Sequence, residues 1–174
     1  MKENDVILKR QSTQIFFKNG DTDFFFNWLL GIGEIFGFSH GELYYLAQRL
    51  GNSPKPDDWK NVFLSHVNYL EQEASNSGLS EQTKAQYYLA QTYSLRSAIQ
   101  FTDPFSEEYL PTVRQMEKVF SSAIHSLGAP IEKLTITYQG SYLPGYYLHS
   151  GDNCPTLIMI GGGDTYREDL FYFA

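Results

Sequence analysis

Three consecutive glycines, Gly161-Gly162-Gly163, follow directly on an unbroken apolar run, Thr156-Leu157-Ile158-Met159-Ile160. A polar, acidic segment comes next, Asp164-Thr165-Tyr166-Arg167-Glu168-Asp169, and reads as the start of a helix. An apolar run without polar alternation predicts a strand buried on both faces, as in a parallel sheet. Glycines at its carboxyl end let backbone N–H groups approach a ligand with no Cβ in the way. The chemistry such amides offer is stabilisation of an anion or of a developing oxyanion. The N–H of Gly163 is the candidate donor. The same pattern also fits a tight strand-to-helix turn that binds nothing.

Other residues that could do chemistry have plainer readings. Gly37-Phe38-Ser39-His40-Gly41 fits G-x-S-x-G, the nucleophile elbow of serine hydrolases. An elbow needs a buried strand before it, and Gly37 follows a helical pattern instead. Ser39 and Glu42 form S-x-x-E, which predicts a capping box opening a helix. None of the four histidines, His40, His66, His125 and His149, has a partner at metal-ligand spacing. His66 lies on an apolar helix face and is expected to be a hydrogen-bonded core or cleft histidine. Asp57-Asp58 and Glu107-Glu108 read as solvated helix starts. No metal and no cofactor is expected.

The elements that must position the glycine run fall into two patterns. From about residue 22 to 128 the apolar spacing is helical; from 131 to 174 it reads as strands, turns and the glycine loop. The first helix is predicted over Asp23–Phe36, with Phe25, Trp28, Leu29, Ile32 and Phe36 inward. The second starts near Ser39, carries Leu43, Leu46, Ala47 and Leu50, and stops at Gly51. The third opens at Pro56-Asp57-Asp58, turns Trp59, Val62, Phe63 and Leu70 inward, and breaks at Asn76-Ser77-Gly78. The fourth runs from after Ser80 to about Gln100, with Ala85, Tyr88, Leu89 and Ile99 inward. The fifth carries Val113, Met116, Phe120, Ala123, Ile124 and Leu127. Leu127-Gly128-Ala129-Pro130 ends it. Beyond it, Lys133–Tyr138 alternates with period two, Gln139-Gly140-Ser141 turns, and Tyr142–Leu148 returns antiparallel. The helix pair over 80–127 has no second copy at a period of about 34 residues, which argues against a solenoid.

Composition narrows the class. The chain has 174 residues and is 42% hydrophobic, enough for a core. Its formal charge of −7 argues against a nucleic-acid or anionic-membrane partner. One cysteine, Cys154, excludes an intrachain disulfide and thiolate metal clusters. No apolar run approaches a membrane span and the start lacks a secretory h-region, so a cytoplasmic protein is expected. Thirteen Phe and thirteen Tyr exceed what one small core needs, and point to a homodimer through the helices.

Several segments together resemble the entry into an α/β-hydrolase domain. They are Ile136-Thr137-Tyr138-Gln139-Gly140, Leu143-Pro144-Gly145-Tyr146, Pro155 through Asp164 with its apolar run and glycines, and Glu168-Asp169. The pattern is similar to hydrolases that carry a helical domain ahead of the catalytic one: the dihydroxypseudooxynicotine hydrolase, yellowish-green pigment hydrolase and fermentation-respiration switch protein group. Gly37–Leu50, Trp59 and Ala85–Ala90 are similar to the helical region of that group. The chain departs from it at Gly163, where members often carry a larger residue. The resemblance implies an α/β fold: an N-terminal arm (1–21), a helical lid domain (22–128) and the first three strands of the hydrolase core with its oxyanion loop (131–174). It implies Gly163 as oxyanion donor, with Gly161 and Gly162 shaping the oxyanion loop, and a small-molecule carbonyl substrate cleaved at an ester, amide or C–C bond. It places the serine, acid and histidine beyond residue 174, so the 174-residue chain alone is expected to be inactive. The alternative is a non-enzymatic helical interaction module with a small β appendage.

Overall fold

The computed structural model describes residues 14–173; positions 1–13 of the expected arm and Ala174 lie outside the described residues. Five α-helices, α1 (Gly20–Ile32), α2 (His40–Leu50), α3 (Pro56–Ala74), α4 (Glu81–Ala98) and α5 (Tyr109–Leu127), precede a hairpin of β1 (Ile131–Tyr138) and β2 (Ser141–Leu148). A 3-10 segment, Arg167–Phe173, comes after the glycine run. Among the described residues the protein is thus mixed α and β, mostly helical, with a two-stranded antiparallel sheet. No helix among them is long and apolar enough to cross a membrane.

Local chemistry fixes where each helix starts. Asn19 Oδ1 accepts from the amides of Asp21 and Thr22 and caps α1. Ser39 and Glu42 make the predicted capping box: Glu42 N donates to Ser39 Oγ (3.1 Å) and Ser39 N to Glu42 Oε2 (2.8 Å). Pro56 occupies the first turn of α3, and Ser80 caps α4 through the Thr83 amide. Asp23 is fully buried because its Oδ1 accepts from the amides of Ile15, Phe16 and Phe17, which ties the preceding segment down.

The first helix ends differently from the prediction. Its last turn, Gly33–Phe36, tightens to 3-10, and Phe38 N reaches back to Gly33 O at 2.8 Å. This closure needs Gly37 in the left-handed region, at φ +78°, where side chains are disfavoured. Space forbids them too, since a Cβ on Gly37 would lie 2.4 Å from the carbonyl oxygen of Gln86 in α4.

α4 is the central helix. From Leu89 to Ala98 every residue is buried, polar ones included. Around it pack Phe26, Leu29, Phe36, Leu43, Leu46, Trp59, Phe63 and Phe120. Trp59, in α3, donates its indole N–H to Ser97 O of α4 at 2.8 Å, so a large ring is buried with its polar atom satisfied. The expected inward residues agree at Phe25, Leu29, Ile32, Leu70, Ala85, Met116, Phe120 and Ala123. Trp28, Ala47, Val62, Tyr88 and Val113 are half-buried against the core, and Leu127, on the last turn of α5, is exposed.

The hairpin pairs Ile131 with Leu148 and Tyr138 with Ser141. Gln139 (φ 46°) and Gly140 (φ 77°) form its two-residue turn, whose positive angles match strand twist. Ile131 and Tyr146 pack on the helices. The opposite face carries Ile136 and Tyr138, which are 55% and 56% exposed.

Thr156–Ile160 is not the predicted buried strand. It carries no strand assignment, and Leu157, Ile158 and Ile160 are 81%, 79% and 87% exposed. The reason is pairing: β1 and β2 bond to each other, and no described strand offers this segment a ladder. The three-stranded core start is therefore corrected to a hairpin followed by an irregular segment.

The Gly37 contact yields a stability test. Gly37→Ala should cost more than about 2 kcal/mol in urea unfolding, combining left-handed strain with the clash on α4. Gly31→Ala, on an exposed helical position with nothing near its Cβ, should instead stabilise by about 0.5–1 kcal/mol.

Candidate functional site

The glycine run forms an open turn. Thr165 N donates to Gly162 O at 3.2 Å, so Gly163 and Asp164 are its central residues. The amides of Gly161, Gly162 and Gly163 have no acceptor among the described residues. A Cβ on Gly161 would press into Thr165 at 2.6 Å, whereas one on Gly163 would meet nothing within 4 Å. Two surface grooves lie elsewhere and neither touches the glycines. One, between α4 and α5, is lined by Lys84, Lys118 and His125; the other, beside the starts of α1 and α3, by Asn19, Trp59 and Phe101.

Just beyond the turn lies a buried charge cluster that sequence reasoning missed. Glu168 and Asp169, expected within a polar helix start, are only 2% and 7% exposed. Burying a carboxylate is tolerable only where donors replace its water. Asp169 Oδ2 accepts from Arg96 Nε (3.1 Å) and from Tyr166 N (3.0 Å). Glu168 Oε1 accepts from the Tyr146 hydroxyl (2.8 Å) and from Arg167 Nε (3.0 Å). Arg167 also pairs with Glu117 of α5, and the Tyr166 and Tyr109 hydroxyls bond to each other. Burial, then the Glu168 carboxylate, pushes the Tyr146 hydroxyl well above its usual range, so it stays a donor. Burial and nearby Asp169 do the same to Tyr93. The Tyr93 hydroxyl nonetheless falls short of hydrogen-bond geometry with Asp169 Oδ1, which is likewise buried and unpaired.

Arg96 is the centre of this cluster. It is 5% exposed, and its fork reaches Asp169, Gln100 Oε1 (2.6 Å) and the Asp164 carbonyl (3.1 Å). The rings of Phe25, Trp28 and Tyr166 lie 5.5, 5.9 and 4.8 Å from its guanidinium carbon. One sequence signal could have found it: an arginine within a run that is otherwise small or apolar, Tyr93-Ser94-Leu95-Arg96-Ser97-Ala98-Ile99.

A serine–histidine–carboxylate row also exists, but it is no nucleophile. His66 Nδ1 lies 2.9 Å from Ser94 Oγ, and Nε2 lies 3.8 Å from Glu42 Oε1. Ser94 is fully buried and donates its proton to Ala90 O, so Nδ1–H must be the donor to it. This matches the expected hydrogen-bonded histidine. Ser39 is held by Glu42 in the capping box, as expected, and makes no contact with a histidine that could activate it. No group of three or more His, Cys, Asp or Glu among the described residues could hold a metal ion.

No protein-family model matches the chain. It is similar to hydrolyase ccsE of Aspergillus clavatus, 26% identical over 155 residues, an overlap covering 78% of this chain and 35% of that protein. The chain therefore spans well under half the length of this relative.

The Glu42 position generates a pH test. The facing His66 ring, opposed by partial burial and aided by the Ser39 amide and hydroxyl, lowers its carboxyl from 4.5 to about 2. A depressed folded-state value stabilises the fold above the unfolded value, and that support fades as pH falls from about 4.5 toward about 2. Denaturant unfolding should show an acid-side loss over this window that is shallower in Glu42→Gln.

Proposed function

We propose that this chain is the helical layer and the start of the catalytic layer of an α/β-hydrolase-type enzyme. Its substrate is a small carbonyl compound cleaved at an ester, amide or C–C bond, and the Gly163 N–H donates to the oxyanion. The division at 128–131 separates the two layers. One observation carries the reading: free glycine amides stand at the end of an irregular apolar segment, in a turn fixed by buried charges. Leu157, Ile158 and Ile160, exposed at 79–87%, are suited to cover by further strands, and a contiguous exposed apolar surface calls for a partner. The hydrolyase relative extends well beyond the matched region, leaving room for those strands and for a serine, acid and histidine. Tetrahedral and enolate oxyanions next to a carbonyl are both stabilised by such amides. Exposed Tyr44, Tyr45 and Tyr69 on the helical layer suit a homodimer contact.

The test uses the protein at the length of its relative. It should hydrolyse an activated ester, label at a serine with a fluorophosphonate, and scatter light at twice its monomer mass. Gly163→Pro, which removes the N–H, should lower kcat about 100- to 1000-fold, the usual loss for one oxyanion donor. Gly163→Ala keeps the N–H in open space and should retain activity. Equal activity in the proline and alanine variants would refute Gly163 as the donor. An unlabelled, inert protein would favour the interaction module, and a monomeric mass would remove the dimer.

A further inference from the structure

We propose that Arg96, on the central helix, is a positioning residue that sets the peptide planes of the Gly162–Thr165 turn. The inference rests on the reading that this turn presents its amides to an oxyanion. Pairing with Asp169 needs one arm of the guanidinium fork, Nε. A second arm, Nη2, goes to the carbonyl of Asp164, the residue after Gly163 in the turn. The third, Nη1, is braced by Gln100 one helical turn on. Asp169 in turn holds the Tyr166 amide. The chain on the far side of the turn is therefore fixed at two backbone atoms, Asp164 O and Tyr166 N, by a single ion pair.

Rigidity of the support matters, because oxyanion donors work only when held in place beforehand. Arg96 has that rigidity. Its guanidinium is sequestered from water among Phe25, Trp28 and Tyr166, and all three arms are engaged. A planar fork can bridge a carboxylate and a carbonyl at fixed angles; a lysine ammonium is a point charge with no such template. Stability alone does not require the bond to Asp164, since Asp169 already neutralises the charge. The consequence is that the helical layer, through one residue of α4, governs the geometry of the turn and not merely its cover.

The discriminating variant is Arg96→Lys in the protein at the length of its relative. It keeps the charge beside Asp169 and loses the bridge to Asp164. Kinetics are measured on an activated ester, with hydrogen exchange of the peptide spanning residues 161–169. Arg96→Lys should lower kcat about 10- to 100-fold with KM within about twofold, the signature of a lost transition-state interaction. Exchange in the 161–169 peptide should quicken at unchanged melting temperature. Gln100→Leu, which removes only the brace, should move kcat the same way by about threefold and serves if the lysine variant does not fold. Wild-type turnover with kcat unchanged in both variants would overturn the proposal, whatever the exchange shows. A wild-type protein without turnover, whose 161–169 peptide still exchanges faster in Arg96→Lys, would retain the positioning and sink the oxyanion reading instead.

Discussion

A guanidinium buried in the middle of a helical core must be paired, because an isolated charge taken out of water costs far more than any single contact returns. Arg96 is such a group, and its partner Asp169 lies 73 residues further along the chain. The pair therefore demands that the segment beyond the glycines come back to α4. The rest of the cluster depends on that return. Once Asp169 is docked, Glu168 is buried beside it and needs its own donors, which Tyr146 of β2 and Arg167 supply. Arg167 carries a positive charge into the same region and meets Glu117 of α5. Helix, hairpin and glycine segment are thereby joined by one set of charges.

This arrangement explains how a short hairpin and an irregular segment hold a defined place on a helical bundle. The hairpin gives few apolar side chains to the core, chiefly Ile131 and Tyr146. Leu157, Ile158 and Ile160 give almost none, being exposed. Ionic and hydrogen-bond contacts, with Phe171 against Phe36 and Phe120, do the anchoring instead. Such contacts depend on angle as well as distance, so they fix orientation in a way that apolar packing alone does not. On the proposed reading, a turn whose amides face a ligand needs that control.

The helical half was legible in the sequence because its signals are local. Ser39-x-x-Glu42, Pro56, Ser80, Gly51 and Gly128 act within a few residues, and the apolar period named most of the core. The hairpin was legible for the same reason, since its turn and alternation are contiguous. The charge cluster was not, because nothing near Glu168-Asp169 tells that Arg96 waits inside the bundle. An acidic pair at a helix start reads as solvated until its distant partner is known. The run 156–160 was misread for a related cause. Its composition suits a strand buried on both faces, but a strand also requires neighbours, and composition does not supply them. The glycine turn lies between these cases: a loop at 161–163 was legible, and its anchorage to α4 was not.

Arg96 and Asp169 must act as one buried unit if the helical core is to hold the glycine turn. A double-mutant cycle with Arg96→Met and Asp169→Leu, read by urea unfolding, tests this most directly. Each single change leaves one buried charge alone and should cost about 3–5 kcal/mol. The double change removes both charges and should cost at least about 2 kcal/mol less than the sum of the singles. Costs that simply add would mean the two side chains do not depend on each other, and the link between helical core and glycine turn would fail with them.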